Sequence, residues 1–419
     1  MDIRVNGVLH GTVTPPPSKS QAHRLLICGA LGSSPCELMC AGVNDDIMAT
    51  MRCLNAIGAD IKYDAGVFTV NPVQLKKGAT LACGESGSTL RFLLSVAAAL
   101  GADATFVGEG KLPLRPMGAL CTALAEHGVE FVHHKEGQEL PLACKGRLVG
   151  GRYILPGNLS SQYLTGLLFA LPTLPADSEV EVVGGLTSAS YIDMTIDAMR
   201  LAGVSVERCG DIYRVKGGQH YNLATNLTVE GDWSSAAFWV VAGVIGKKPV
   251  YLRGMNPKSL QGDSKIIDHL RSMGAYIDVT DDEIVAMPSQ LFGAELDCMD
   301  TPDLVPILSV AAAVAHGETL FTNVGRLRFK ESDRLAAMRQ VLASFGVSSL
   351  VGEDTFTVYG GEPEALQPVD SFGDHRIAMS SAILSTVSKG VTNILGAECV
   401  AKSYPAFFED FAALGGKVF

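Results

Sequence analysis

The chain has 419 residues, of which 47% are hydrophobic and 18% charged, and it carries a net charge of −11. That composition suits a globular protein large enough for two domains. It excludes a general binder of nucleic acid or of anionic membranes, because phosphate backbones demand clustered excess Lys and Arg.

The first residues, Met1-Asp-Ile-Arg-Val-Asn-Gly, have neither the basic nor the apolar region of a signal peptide. No apolar run approaches the roughly 18 residues of a spanning helix, so a cytoplasmic location is expected. Ile3 to Val13 reads as a strand pair and is followed by Pro15-Pro-Pro17. Ser18 then opens a small, apolar, helix-like segment. Five more such segments open at Ser86, Ser160, Asp232, Asp303 and Asp374, residue types that cap helix starts. A second marker is an apolar residue, three others and Gly, as in Leu54-Asn-Ala-Ile-Gly58. It recurs at Gly128, Gly203, Gly274, Gly346 and Gly415. Both markers return about every 70 residues, the signature of internal repeats.

Six repeats result, each reading helix, strand, helix, strand, strand. Ser86 to Gly101 shows the capped, nearly all-apolar first helix, which must be buried. Ala104-Thr-Phe-Val-Gly is the strand after it, as Ser178-Glu-Val-Glu-Val-Val-Gly is in the next repeat, and Gly203 to Lys216 holds a hairpin. The last repeat stops one strand short, at Gly415-Gly-Lys-Val-Phe419. The N-terminal strand pair is therefore expected to complete it, which assigns residues 1–14 with 231–419 to one domain and 15–230 to the other. Ten cysteines form no Cys-x-x-Cys pair and have no His at zinc spacing. Buried, reduced thiols are expected, with no metal.

Cations recur near the helix starts: Lys19, Arg24, Arg91, Arg115, Lys330, Arg334, Arg376 and Lys402. A positive charge there opposes the helix dipole. An anionic ligand resolves the conflict, because unpaired N–H groups at a helix start bind anions and Arg and Lys clamp phosphate and carboxylate.

Seven motifs, in order, carry a family resemblance. They are Pro16-Pro-Ser-Lys-Ser-x-x-x-Arg24, Gly87-Ser-x-x-Arg91, Leu114-Arg-Pro-Met-Gly118, Ser160-Ser-Gln162, Phe329-Lys-Glu-Ser-Asp-Arg-Leu335, Asp374-His-Arg376 and Lys402-Ser-Tyr-Pro. Together they resemble the 5-enolpyruvylshikimate-3-phosphate synthase family over nearly the whole chain. The resemblance implies an α/β fold of two domains, each of three βαβαββ units, with the active site in the cleft between them. It implies transfer of the enolpyruvyl group of phosphoenolpyruvate to the 5-hydroxyl of shikimate 3-phosphate, with release of phosphate. It also implies no metal or organic cofactor, no nucleic-acid or membrane partner, and a monomer.

By the same resemblance, Asp303, Glu331 and Lys19 are the acid/base candidates and His375 a lesser one. Lys19, Ser20, Arg24, Ser160, Ser161, Gln162, Ser188, Tyr191, Asp303 and Lys330 correspond to the shikimate 3-phosphate site. Lys19, Gly87, Arg115, Gln162, Arg334, Arg376 and Lys402 correspond to the phosphoenolpyruvate site, and Arg91 stands beside it with no catalytic role. For Asp303 the structural alternative is a helix N-cap; for Glu331 it is a favourable charge opening the helix of Lys330-Glu-Ser-Asp-Arg334.

Three positions depart from the family pattern. Glu85-Ser86-Gly87 replaces Asn-Ala-Gly, Phe92 replaces Pro, and Arg326 stands where some members place Asn. The retained Gly87 favours inhibition by glyphosate. The sister family acting on UDP-N-acetylglucosamine usually carries a reactive Cys where this chain has Gly110. A non-catalytic binder of phosphorylated metabolites would need the cations but not Asp303 and Glu331.

Overall fold

The computed structural model describes residues 1–157 and 160–419. The chain divides into two compact units, one of Pro17–Val229 and one of Met1–Pro16 with Glu230–Phe419. Each has its own hydrophobic core.

In the 17–229 unit the helices are α1 (Lys19–Ala30), α2 (Asp45–Ala56), α3 (Gly87–Leu100), α4 (Gly118–Ala125), α5 (Ser161–Ala170) and α6 (Ala189–Leu201). The 230–419 unit has α7 (Trp233–Ile245), α8 (Ile266–Ser272), α9 (Val305–Ala313), α10 (Arg334–Ser344), α11 (His375–Ser385) and α12 (Phe407–Ala413). Odd-numbered helices open the repeats and are the buried ones. Every residue of α9 and α11 is buried; α9 is apolar but for Ser309, which suits burial on all sides, whereas α11 also buries His375, Arg376 and three serines. The even-numbered helices bury one face: in α2 this is Ile47, Thr50 and Leu54, at helical spacing.

Each repeat contributes a four-stranded sheet with one pairing pattern. In one of them Thr80–Ala82 runs parallel to Thr105–Val107, which pairs antiparallel with Leu142–Gly146, itself antiparallel to Val129–His133. The pattern of helix, strand, helix, strand, strand thus lacked one member, the short strand that precedes each opening helix. These strands run from Leu227–Thr228, with two residues, to Arg152–Pro156, with five. They are too short to show an alternation of their own.

The short strands also close each unit on itself. Leu227–Thr228, last in the 17–229 unit, pairs parallel with Cys36–Met39 of that unit's first repeat. Gly11–Val13 does the same for the other unit, pairing parallel with Val250–Arg253. The expectation put both N-terminal strands in the last repeat, but only Ile3–Gly7 lies there, between Thr392–Leu395 and Gly416–Val418. A strand that ends a repeat covers the next sheet in the cycle, so Gly11–Val13 belongs to the fourth.

The repeating glycines have a backbone cause. Gly58, Gly128, Gly203, Gly274, Gly346 and Gly415 all have positive φ, from 73° to 114°, where a side chain is strained. At Gly58 a Cβ would lie 2.0 Å from the Gln74 carbonyl oxygen. All ten cysteines are free thiols, nine of them buried and Cys209 exposed. Among the described residues no helix is long and apolar enough to cross a membrane.

Candidate active site

Five of the six opening segments are capped by the residue that marked them. Ser18, Ser86, Ser160, Asp232 and Asp374 each accept a backbone N–H from the first turn of their helix. Asp303 does not. It lies in a 3₁₀ turn, Pro302–Leu304, that precedes α9, and its carboxylate makes ion pairs instead.

Those ion pairs organise the 230–419 unit. Asp303 Oδ1 accepts from Arg334 Nη1 at 2.7 Å and lies 3.4 Å from Lys330 Nζ, while Oδ2 accepts from Arg376 Nη2 at 3.0 Å. Arg334 also donates Nε to Asp374 Oδ2 at 2.8 Å and Nη2 to Glu331 Oε2 at 2.9 Å. Asp374 takes a further bond from Ser332 Oγ, at 3.0 Å, and caps α11 by accepting from Arg376 N, also at 3.0 Å. One guanidinium therefore holds three carboxylates, and two of them are the acid/base candidates Asp303 and Glu331.

Glu331 does not open a helix, contrary to the expectation. Asp333 caps α10, which starts at Arg334, and leaves Glu331 in the bend before it. Burial opposes the charge on Arg334, but Asp374, Glu331 and Asp303 together push its pKa up. Burial likewise works against ionised Asp374, and Arg334 overcomes it, so that carboxyl is held below its usual range. At Lys330 burial wins over the pull of Asp303 and its pKa falls. That shift favours a lysine able to give up a proton.

His375 is buried at the first position of α11, with Nδ1 3.8 Å from Asp374 Oδ1. Lys402 Nζ donates to the Gly373 carbonyl at 2.8 Å. The segment after Lys402 is pinned by Tyr404, whose hydroxyl accepts from Trp239 Nε1 at 3.1 Å and donates to Asp410 at 2.5 Å. The sequence reading missed Asp374 as a partner of Arg334, and Asp263. Asp263 is buried beside Asp303 and accepts from Ser234 Oγ, and burial, then Asp303, pushes it up to about 6. Asp374 was marked only as a helix opener beside His375 and Arg376, and Asp263 by no motif.

In the 17–229 unit, Lys19 Nζ donates to Asp46 Oδ2 at 2.8 Å. Arg24 is buried and donates Nε to Thr195 Oγ1, Nη1 to the Ser20 carbonyl and Nη2 to the Tyr191 carbonyl, at 2.9, 2.6 and 2.8 Å. The rings of Phe92 and Tyr191 flank it at 5.3 and 5.8 Å. All these contacts are neutral, and burial pulls the guanidinium down to about 10. Phe92, one of the departures from the family pattern, is thus part of the Arg24 socket.

Gln162, at the start of α5, is held from both ends. Its Oε1 accepts from Arg91 Nη1 at 2.6 Å, and its Nε2 donates to Ser88 Oγ at 3.0 Å. Arg91 therefore orients Gln162 and ties α3 to α5. Ser160 caps α5, and Ser161 is its first residue, buried. Ser188 precedes α6 with a left-handed φ of 57°, and its hydroxyl does not cap the helix. Tyr191 lies one turn further on.

Gly87 faces Arg115, since a Cβ there would lie 2.8 Å from Arg115 Nη1. The Glu85 carboxylate fills the space beside Gly110, where a Cβ would come within 2.4 Å of Glu85 Oε2 and where φ is 55°. A side chain at position 110 would have to displace the Glu85 carboxylate and take a strained φ. Arg326 bonds the Met299 carbonyl.

Six βαβαββ units, with carboxylates and cations gathered at their helix starts, define the enolpyruvyl transferase class. A solved EPSP synthase from Acinetobacter baumannii matches with a TM-score of 0.82 at 26% identity, covering 100% of this chain and 99% of that one. The enolpyruvyl transferase NikO from Streptomyces tendae shares the fold, with a TM-score of 0.79 at 19% identity, covering 100% of this chain and 98% of that one. Within that class the chain belongs to the EPSP synthase (3-phosphoshikimate 1-carboxyvinyltransferase) family, whose model matches residues 3–411. The 3-phosphoshikimate 1-carboxyvinyltransferase of Clostridium kluyveri is 41% identical over 415 residues, 98% of this chain and 96% of the relative. That of Clostridium acetobutylicum is 39% identical over 416 residues, again 98% and 96%.

Proposed function

We propose that the protein transfers the enolpyruvyl group of phosphoenolpyruvate to the 5-hydroxyl of shikimate 3-phosphate, with the residues above in the roles their motifs imply. The observation that carries the reading is the triad of Asp303, Glu331 and Arg334, two carboxylates on one buried guanidinium. A binding protein has no use for that arrangement. In the addition step the 5-hydroxyl oxygen bonds to C2 of phosphoenolpyruvate and C3 gains a proton. In the elimination step the C2–O bond to phosphate breaks and C3 loses a proton.

Asp303 takes the proton of the 5-hydroxyl, and Glu331 serves C3. Lys19, with His375 in support, supplies charge and protons at the phosphate that leaves. Such groups work at hydrogen-bond reach with the substrates already oriented. Ser20, Arg24, Ser160, Ser161, Gln162, Ser188, Tyr191 and Lys330 orient shikimate 3-phosphate. Arg24 keeps two of its five N–H groups beyond the three bonds described, and its charge has only neutral hydrogen-bond partners among the described residues. Gly87, Arg115, Gln162, Arg334, Arg376 and Lys402 receive phosphoenolpyruvate, with Arg and Lys countering its phosphate and carboxylate. The enzyme works as a cytoplasmic monomer and needs neither metal nor organic cofactor.

The test is phosphate release by purified protein in the presence of a chelator, given phosphoenolpyruvate with either shikimate 3-phosphate or UDP-N-acetylglucosamine. Turnover with shikimate 3-phosphate alone is expected. Turnover with the nucleotide sugar, or silence with both, overturns the reading.

A further inference from the structure

A chain of buried hydroxyls crosses the 17–229 unit beneath the starts of α1 and α3. His23 Nδ1 lies 2.7 Å from Thr50 Oγ1 on α2, which lies 2.7 Å from Thr89 Oγ1 on α3. Thr89 Oγ1 donates to Ser86 Oγ at 2.7 Å, and Ser86 caps α3 by accepting from Thr89 N at 3.2 Å. All four side chains are at most 1% exposed. The catalytic roles above use none of them.

The direction of this chain fixes the imidazole. Thr89 gives its one hydroxyl proton to Ser86 at 2.7 Å, with the Asp46 carbonyl a longer alternative acceptor at 3.5 Å, so on either count the proton between Thr89 and Thr50 must come from Thr50. Thr50 then has none left for His23, and His23 must donate from Nδ1–H. The opposite tautomer would leave two oxygens 2.7 Å apart with no proton between them. It would also bury an N–H at Nε2, an atom with no hydrogen-bond partner among the described residues. A bare lone pair there costs less than an orphaned donor. Burial, then Lys19 and Arg24, hold the ring pKa well below its ordinary value, so the ring stays neutral.

We infer that His23 is a positioning residue for phosphoenolpyruvate, acting through Thr50 and Thr89 to fix the Ser86 cap and hence the approach of Gly87 and Ser88. Both lone pairs of Ser86 are taken by Thr89, so the cap is held from two directions and the first turn of α3 cannot rotate without breaking the chain. The inference rests on the proposed phosphoenolpyruvate site at Gly87. It departs from a general stabilising role, because the four side chains themselves bond no residue assigned to shikimate 3-phosphate, and the one link beyond them, from Ser88 to Gln162, serves both substrates.

Steady-state kinetics of four variants, with nitrogen-15 NMR of labelled histidine in the wild type, test it. Thr50→Val keeps the shape of the side chain but removes its hydroxyl, and His23→Ala removes the donor. Each should raise KM for phosphoenolpyruvate about two- to tenfold, the range of one buried hydrogen bond, and raise KM for shikimate 3-phosphate distinctly less, since only Gln162 links the chain to that substrate. Thr50→Ser keeps the hydroxyl, and His23→Asn places an amide donor where Nδ1 stood; both should restore wild-type KM. NMR should show the Nδ1–H tautomer, unchanged across neutral pH. Equal rises in both KM values, no rescue by His23→Asn, or an Nε2–H signal would overturn the inference. A wild type that releases no phosphate would overturn the reaction assignment instead, and the tautomer would still decide whether the chain is ordered as described.

Discussion

Arg24 and Arg334 are buried to the same depth, each 2% exposed, yet their surroundings are opposite. Arg24 rests on two carbonyls, a hydroxyl and two aromatic rings, and desolvation pulls its pKa down to about 10. Arg334 sits among Asp303, Glu331 and Asp374, which drive its pKa up against the same desolvation. One unit holds a buried charge whose hydrogen-bond partners are neutral. The other holds a charge already balanced, which serves to fix acids in place. A buried cation with neutral partners gains most from an anionic ligand; Arg334, shared among three carboxylates, gains less by itself and receives phosphoenolpyruvate together with Arg376 and Lys402.

Changing the carboxylates should have the largest effect. Glu331→Gln keeps the hydrogen bond to Arg334 but removes the acid/base function, so kcat should fall about 100- to 10,000-fold, the range of general acid–base catalysis. Denaturant midpoints should barely move, since Glu331 is partly exposed. A variant with full turnover would remove Glu331 from the mechanism.

Stability separates the two arginines next. Arg334→Met strands Asp374, which is fully buried, and should cost about 3–5 kcal/mol in urea unfolding. Arg24→Met strands no charge, so it should cost only about 1–3 kcal/mol for the lost bonds and the unsatisfied carbonyls, and weaken shikimate 3-phosphate binding. Equal losses would mean that charge balance does not distinguish the units.

A smaller effect is expected at Asp263. Its folded pKa, about 6, lies above the ordinary aspartate value of 3.8, so the folded state holds the proton more tightly. That contribution is complete below the unfolded value and is lost as pH rises through about 6. Asp263→Asn should therefore gain stability relative to wild type between pH 4 and 7, by about 2–3 kcal/mol, as read from urea midpoints at each pH. Gly87→Ala should act least on the fold. Its methyl group must displace Arg115, so KM for phosphoenolpyruvate should rise about tenfold, the equivalent of one weakened charged hydrogen bond.

Much of this was legible in the residues. Ser86 announces a helix because a short hydroxyl at that point satisfies an orphaned N–H, and Gly58 announces a stop because only glycine takes that φ without strain. Glu331 misled for a local reason: both Glu331 and Asp333 suit a helix start, and the cap went to Asp333. His23 gave no signal at all, since one polar residue inside an apolar helix does not reveal what it meets.

What the sequence by itself determined is the set of features enforced within a few residues: six repeats, their caps, their glycine stops and the burial of their opening helices. What only the tertiary structure decided is pairing over distance. Arg334 and Arg376 reach Asp303 from 31 and 73 residues away, and Gly11–Val13 finds its partner at Val250–Arg253. No local rule specifies such partners, because a buried charge or an open strand edge accepts any suitable group that the packed core brings to it.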